Sequence, residues 1–211
     1  MGRFVRLDPL TLSELPALYA AIGNPDVFRG GFGGGLAALP PTRDAFSLWA
    51  ATALPFAGGL PFAVRLVGGD HDGELVGTSS LADFEPQRET LHLGWTAYDP
   101  RVWGTVVNAE TKLLLLGAAF AHGFGRVKIQ ADVLNTRSRA AIVGIGATYE
   151  GTIRRERTRA DGSWRDTAIH SILRDEWPRV REGLQARVDA RAGSPVEFRH
   201  RAGAGDAPAF A

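Results

Sequence analysis

Tyr98-Asp-Pro-Arg101-Val-Trp-Gly104-Thr-Val-Val-Asn108-Ala-Glu110 joins two patterns of opposite kind. Upstream, residues 90–98 read as a strand that Asp99-Pro100 brings to an end. Downstream, residues 109–122 carry a leucine-rich face at helical spacing. A strand, one glycine turn and an immediate helix aim several free backbone N–H groups at one spot. The positive end of the helix dipole points there too, which is how a backbone holds phosphate. A plain strand-to-helix turn shares this local pattern, so the segments on either side have to distinguish the two.

On the N-terminal side, residues 3–7 are predicted as a strand. Thr11-Leu-Ser-Glu14 has the spacing of a capping box, ahead of a helix that runs to Ile22 and stops before Asn24-Pro25. Thr42 caps a second helix with Phe46, Trp49 and Ala50 at core spacing. Residues 62–67 and 74–81 are strands around the turn at 68–73. On the C-terminal side, Val127, Ile129, Ala131 and Val133 alternate with polar residues as a strand does. A short helix over 136–145 follows. Strands over 147–157 and 164–173 flank Asp161-Gly162, a hairpin signal, and an amphipathic helix spans 175–190. This order predicts an α/β (α+β) class with a mixed sheet flanked by helices. Residues 1–191 form one domain, and the Gly-, Ala-, Pro- and Arg-rich stretch 192–211 is expected to be a flexible tail, its removal leaving fold and ligand affinity intact.

Composition narrows the function classes. The chain has 211 residues, 45% of them apolar and 22% charged, the ordinary globular mix. With 24 basic and 23 acidic residues the net charge is +1, which argues against nucleic acid as a partner. The absence of cysteine excludes a thiol nucleophile and every cysteine-based zinc site, and the five histidines never fall at the spacing of a helical metal pair. Asp8 and Pro9 interrupt the region where a signal peptide needs an apolar run, and the apolar stretch 113–121 is far short of the ~20 residues that span a bilayer. A soluble cytoplasmic protein with no membrane partner is expected.

A second constellation follows the strand at 127–133: Leu134-Asn135-Thr-Arg137-Ser138-Arg139-Ala-Ala-Ile142, then Gly146-Ala147 and Glu150-Gly151. Alone, Asn135 reads as a helix cap and Ser138 as a first-turn polar residue. Together with the first segment the pattern resembles the GNAT superfamily of acyl-CoA-dependent N-acyltransferases. It is most similar to the branch that includes the ribosomal-protein N-acetyltransferases. Arg101-Val-Trp-Gly104-Thr-Val106 matches the superfamily's R/Q-x-x-G-x-G/A phosphate loop at all but the last position. Trp103-Gly104-Thr105, Asn108, Glu110-Thr-Lys112 and the close Asp161-Gly162, Arg165-Asp-Thr167 and His170-Ser-Ile-Leu173 also match that branch. The likeness covers about residues 90–190.

The resemblance implies a mostly antiparallel central sheet whose middle strands splay apart, with the pantetheine arm of acetyl-CoA in the gap. Trp95, Thr96 and Ala97 would offer it backbone groups. Arg101, Val102, Trp103, Gly104, Thr105 and Val106 would hold the pyrophosphate, and Asn108, Asn135 and Ser138 would complete the cosubstrate site. The implied reaction is transfer of an acyl group, acetyl above all, to a primary amine of a small molecule or protein N-terminus. The amine attacks the thioester directly and no metal takes part; a homodimer is also implied. Ser138, near a helix start that favours negative charge, would serve the departing sulfur. Asn135 would hold the pantetheine or acyl carbonyl. His92 would accept the ammonium proton near neutral pH, or else be a half-buried strand histidine with a satisfied hydrogen bond. His170 is a second candidate base, and Asp83 and Glu85 would hold a water or the acceptor. Val106 stands where the family has glycine or alanine. A branched side chain there would crowd the pyrophosphate and weaken rather than abolish CoA binding, since Gly104 and the helix start remain, so Val106→Gly is expected to tighten it; this keeps a non-catalytic acyl-CoA-binding module as the alternative. Gly30 to Gly35 reads as a flap at the acceptor entrance or as a surface loop.

Overall fold

Strand alternation in the sequence becomes one seven-stranded sheet in the computed structural model, which describes residues 1–191 and 193–199. The strands are β1 (Val5–Pro9), β2 (Leu60–Leu66), β3 (Leu75–Glu85), β4 (Thr90–Tyr98), β5 (Arg126–Asp132), β6 (Thr148–Thr158) and β7 (Trp164–Leu173). Their order is β1-β2-β3-β4-β5-β7-β6, and only β4 and β5 run parallel. The mixed sheet flanked by helices is what the element order predicts, and its mostly antiparallel run is what the resemblance implies. Ala192 and residues 200–211, the bulk of the expected tail, lie outside the described residues.

The helices are α1 (Leu15–Ile22), α2 (Pro25–Arg29), α3 (Arg43–Ala53), α4 (Val107–Ala121), α5 (Thr136–Gly144) and α6 (Trp177–Asp189). One apolar cluster joins α1, α2 and α3 to the sheet through Leu15, Leu18, Phe28, Phe46 and Ala97. Another joins α4 and α6 to it through Leu91, Leu93, Leu116, Ile129 and Leu184. Val180, Leu184 and Val188 form the buried stripe of α6, at the four-residue spacing that keeps side chains on one helix face. Thr42 caps α3 as expected, its hydroxyl accepting the Ala45 N–H at 3.2 Å. The short helix α2 is an addition to the predicted order. Asn24 and Pro25 end α1, but Asn24 Oδ1 also accepts the amides of Asp26 and Val27 and so starts a new helix.

Two features of β4 matter for function. It pairs with β5 only at Thr90, Leu91 and His92, after which the two strands part. The register against β3 slips between Thr78 and Ser80, and Trp95 takes a φ of +48°, a bulge that turns β4 away from β5. No helix among the described residues is long and apolar enough to cross a membrane.

Candidate active site

The loop between β4 and α4 is braced from within. The buried Asp99 carboxylate accepts the Arg101 amide at 2.9 Å and its guanidinium at 2.7 and 3.0 Å. Arg101 also reaches Glu74 at 3.1 Å. The amides of Val102, Trp103 and Thr105 bond to carbonyls of the same loop. Gly104 turns at φ +68°, a conformation that costs glycine nothing. Among the described residues, the amides of Gly104, Val106 and Asn108 have no hydrogen-bond partner. They sit at the start of α4, so the loop keeps a small set of N–H groups free for an anion, narrower than the whole span 101–106. The Asn108 side chain lies half-buried in the first turn beside them.

Val106 turns its side chain away from the loop surface. Its side chain is buried with Phe4 and Val188, against Leu113 and Val196, while its amide stays unpartnered. Phe4, just before β1, and Val188 of α6 hold the side chain in the core, rather than free beside the turn. Val106→Gly is expected to lower stability by about 2–4 kcal/mol, through lost burial and added backbone freedom, rather than tighten cosubstrate binding. Urea denaturation together with acetyl-CoA titration checks both halves.

The opposite wall of the gap is the start of α5. Asn135 caps the helix, its Oδ1 accepting the Ser138 amide at 2.9 Å, so only its Nδ2 is left to reach a ligand. The half-buried Ser138 hydroxyl makes no hydrogen bond among the described residues. Arg137, which the sequence reading did not assign, stacks its guanidinium 3.5 Å over the Trp103 ring and so spans the two walls. The glycine loop packs at this mouth. A Cβ on Gly30 would lie 2.5 Å from Arg137 Nη2, and one on Gly31 3.3 Å from Asn135 Nδ2. Gly34 accepts an amide from Ala160, in the turn between β6 and β7.

The side chains of β4 beyond His92 are already committed. Trp95 Nε1 donates to the Ala53 carbonyl at 3.0 Å. Thr96 Oγ1 meets Lys112 Nζ at 2.7 Å and Ser79 Oγ at 2.8 Å. Ala97 is buried against the α1–α3 cluster. What these residues can offer across the gap is backbone. Lys112, also unforeseen, is buried without a carboxylate partner among the described residues, and burial pushes its pKa down to about 7.

His92 lies on the same side of β4 as Trp95, their ring centroids 5.0 Å apart, and is only 4% exposed. Nδ1 meets the Asp83 carboxylate at 3.2 Å, and Asp83 also faces Lys128 at 3.5 Å. Nε2 is buried with no partner among the described residues, and a Cβ on Gly94 would lie 2.7 Å from it. Ser80, the cross-strand neighbour of Gly94, carries a second buried hydroxyl without a partner. Two unpaired polar atoms thus belong to residues around one glycine, at the point where β4 leaves β5. Burial pushes the His92 pKa down to about 4, helped by Lys128 and opposed by Asp83. The imidazole is therefore neutral at pH 7, and donation from Nδ1 to Asp83 leaves a lone pair on Nε2.

Other candidates lie elsewhere. His170 is buried on β7, on the far side of β5 from β4 and beside Tyr149. Glu85 pairs with Arg88 at a cleft of about 330 Å³ lined by Asp83, Glu85, Arg88, Thr90, Leu91, Arg126 and Lys128. That cleft flanks Asp83 without including His92. Among the described residues no cluster of three or more His, Cys, Asp or Glu side chains could hold a metal ion.

Comparison with known proteins agrees with this geometry. The family model described as an acetyltransferase (GNAT) domain matches residues 5–148. A crystal structure of a candidate acetyltransferase from T. thermophilus is 37% identical, covers 89% of this chain and 95% of its own, and superposes with a TM-score of 0.76. A GCN5-related N-acetyltransferase from Brucella melitensis is 28% identical over 88% of this chain and 83% of its own, with a TM-score of 0.78. Mycobacterium smegmatis RimJ in complex with CoA-disulfide, 22% identical with a TM-score of 0.66, covers 86% of this chain and 88% of its own and shares the fold. No curated protein matches the sequence. Parted parallel strands, a glycine turn with unpaired amides and the family match lead to one assignment: this chain belongs to the GNAT acetyltransferases, N-acetyltransferase enzymes that use acetyl-CoA as cosubstrate.

Proposed function

We propose that the enzyme transfers acetyl from acetyl-CoA directly to a primary amine, of a small molecule or a protein N-terminus, with His92 as proton acceptor. The observation that carries this reading is the buried, unpartnered Nε2 of His92 beside Gly94. A buried acceptor without a partner costs stability unless something uses it. A neutral amine bonding to the acyl carbon there gives it one proton to accept, and the Nδ1 contact with Asp83 leaves Nε2 as the acceptor.

The remaining roles follow from position. The unpaired amides of Gly104, Val106 and Asn108 take phosphate oxygens. Asn135 Nδ2 donates to the acyl or pantetheine carbonyl. As the C–N bond forms and the C–S bond breaks, the amine proton passes to His92 Nε2. Sulfur gains negative charge and takes a hydrogen bond from the Ser138 hydroxyl near the positive end of α5, then a proton through that hydroxyl, which regains one from solvent in the same step. The chain has no cysteine to carry an acyl-thioester, which favours one direct displacement. With Val106 turned into the core, the reason for a non-catalytic binding module is gone.

The test is free-thiol release from acetyl-CoA against a panel of small amines and peptide N-termini, with Ser138→Ala and Asn135→Ala beside the parent. Ser138→Ala is expected to lower kcat ~10–100-fold with little change in acetyl-CoA affinity, whereas Asn135→Ala lowers both. Equal kcat in Ser138→Ala and the parent, with chemistry rate-limiting, removes the sulfur role. Parallel rather than intersecting initial-velocity lines would rule out direct attack.

A further inference from the structure

Residues 193–199 bring a cation onto the phosphate loop from the far end of the chain. Val196 packs against the cluster of Phe4, Val106 and Val188. Phe198 lies between two flat groups, 3.8 Å from the Arg101 guanidinium and 3.8 Å from the His71 ring. The Arg199 amide donates to the Arg101 carbonyl at 2.9 Å, and its guanidinium donates to the Gly104 carbonyl at 3.1 Å. A Cβ on Gly104 would lie 3.0 Å from Arg199 Nη1, so the guanidinium lies directly over the glycine of the turn.

This placement is electrostatically odd without an anion. The N-terminus of α4 is a region of positive potential, and a second positive group is repelled there. The loop's own arginine does not supply free positive charge, since Asp99 and Glu74 neutralise Arg101. Among the described residues no carboxylate pairs with Arg199. A guanidinium held beside unpaired amides suits one kind of ligand, a phosphate that accepts from both.

We propose that Arg199 is a pyrophosphate ligand for acetyl-CoA, delivered by the C-terminal segment as a clamp over Gly104. The proposal rests on the acetyl-CoA reading of the loop and adds a residue far outside the phosphate-loop motif. It also reverses the expectation that removing the tail is harmless to cosubstrate affinity. Pairing of a guanidinium with phosphate is charge-assisted and planar, so lysine replaces it only in part.

Isothermal titration of the full-length chain with acetyl-CoA and with 3′-dephospho-CoA is the test, using the parent, Arg199→Ala and Arg199→Lys. Arg199→Ala is expected to weaken acetyl-CoA binding about 5- to 20-fold, the range of a partly exposed charge-assisted contact. Arg199→Lys should fall between it and the parent. The same ratio with 3′-dephospho-CoA supports the pyrophosphate assignment, and a ratio near one with that ligand overturns it in favour of the 3′-phosphate. Unchanged or tighter binding of acetyl-CoA by Arg199→Ala overturns the clamp, tighter binding meaning that the segment competes with the ligand. Absence of acetyl-CoA binding by the parent overturns the loop reading as well, so the two failures are distinguishable. Thermal unfolding without ligand should not separate the three proteins, because Arg199 is exposed.

Discussion

Replacing His92 with glutamine is expected to lower kcat at pH 7.5 by about 10²–10³-fold, within the range that a positioned proton acceptor supplies. Glutamine roughly fills the space and keeps a donor toward Asp83, so the loss reports on the lone pair rather than on packing. The pH profile makes the test sharper. The imidazole is neutral above about 4, so activity should fall as pH drops through that region. Lys128 disfavours the imidazolium, and Lys128→Met should move this acid limb upward toward neutral pH. Asp83 favours the imidazolium, and Asp83→Asn should move the limb downward. Lys112 adds a weaker downward push from the other side of β4. Stability follows the same linkage. The folded imidazole titrates below its ordinary 6.5, so stability from this site is complete above that value and is lost as pH falls toward 4. An unaltered kcat and pH profile in His92→Gln would leave His92 as a buried strand histidine and move the search for a base to Ser80 or a bound water.

Where the sequence is legible, the information is local. The alternation of Val127, Ile129 and Ala131 needs only a period of two, and the stripe of α6 only a period near four. The glycine loop before α4 is visible for the same reason, since a strand, a glycine and a helix start are neighbours in the chain. What the loop does with its amides is less local. Asp99 and the loop carbonyls consume several of them, and that depends on turn geometry rather than residue type. The direction of Val106 is less local still, being fixed by Phe4 and Val188 at opposite ends of the chain. Asn135 shows that the plain and the functional reading of one residue can coexist, because one amide atom caps α5 and the other remains available. Ser80, Lys112, Arg137 and Arg199 escape a sequence reading because each gains its meaning from a neighbour distant in sequence. In sequence, Arg199 is one of several arginines of a polar tail and nothing sets it apart.

Glu110→Ala is expected to cost about 3–5 kcal/mol of stability, the range for breaking a buried charged network by removing one partner. In sequence, Glu110 is an acidic residue in the first turn of a helix, where compensation of the dipole is ordinarily worth about 0.3–1 kcal/mol. The structure gives it a larger task. Its carboxylate is 3% exposed and accepts the amides of Arg3, Phe4 and Val5, each at 2.7 Å. Phe4 and Val5 are themselves buried, so without the carboxylate their amides have neither water nor a protein partner. Gly2 has to be glycine for the same contact, since a Cβ there would strike the carboxylate. The chain's first residues are thus tied to the first turn of α4, the turn whose unpaired amides are proposed to take phosphate. Glu110→Ala should therefore lower Tm by about 6–20 °C, given 2–4 °C per kcal/mol at this size, and weaken acetyl-CoA binding by loosening the loop. Glu110→Gln keeps one acceptor oxygen and should fall between. Pairing of the N-terminal amides with solvent, shown by rapid hydrogen exchange at Arg3, Phe4 and Val5 in Glu110→Ala but not in the parent, would establish the cause. A Tm change below about 2 °C would mean that β1 holds its place through Val5 and Phe4 packing alone, and that the carboxylate only follows.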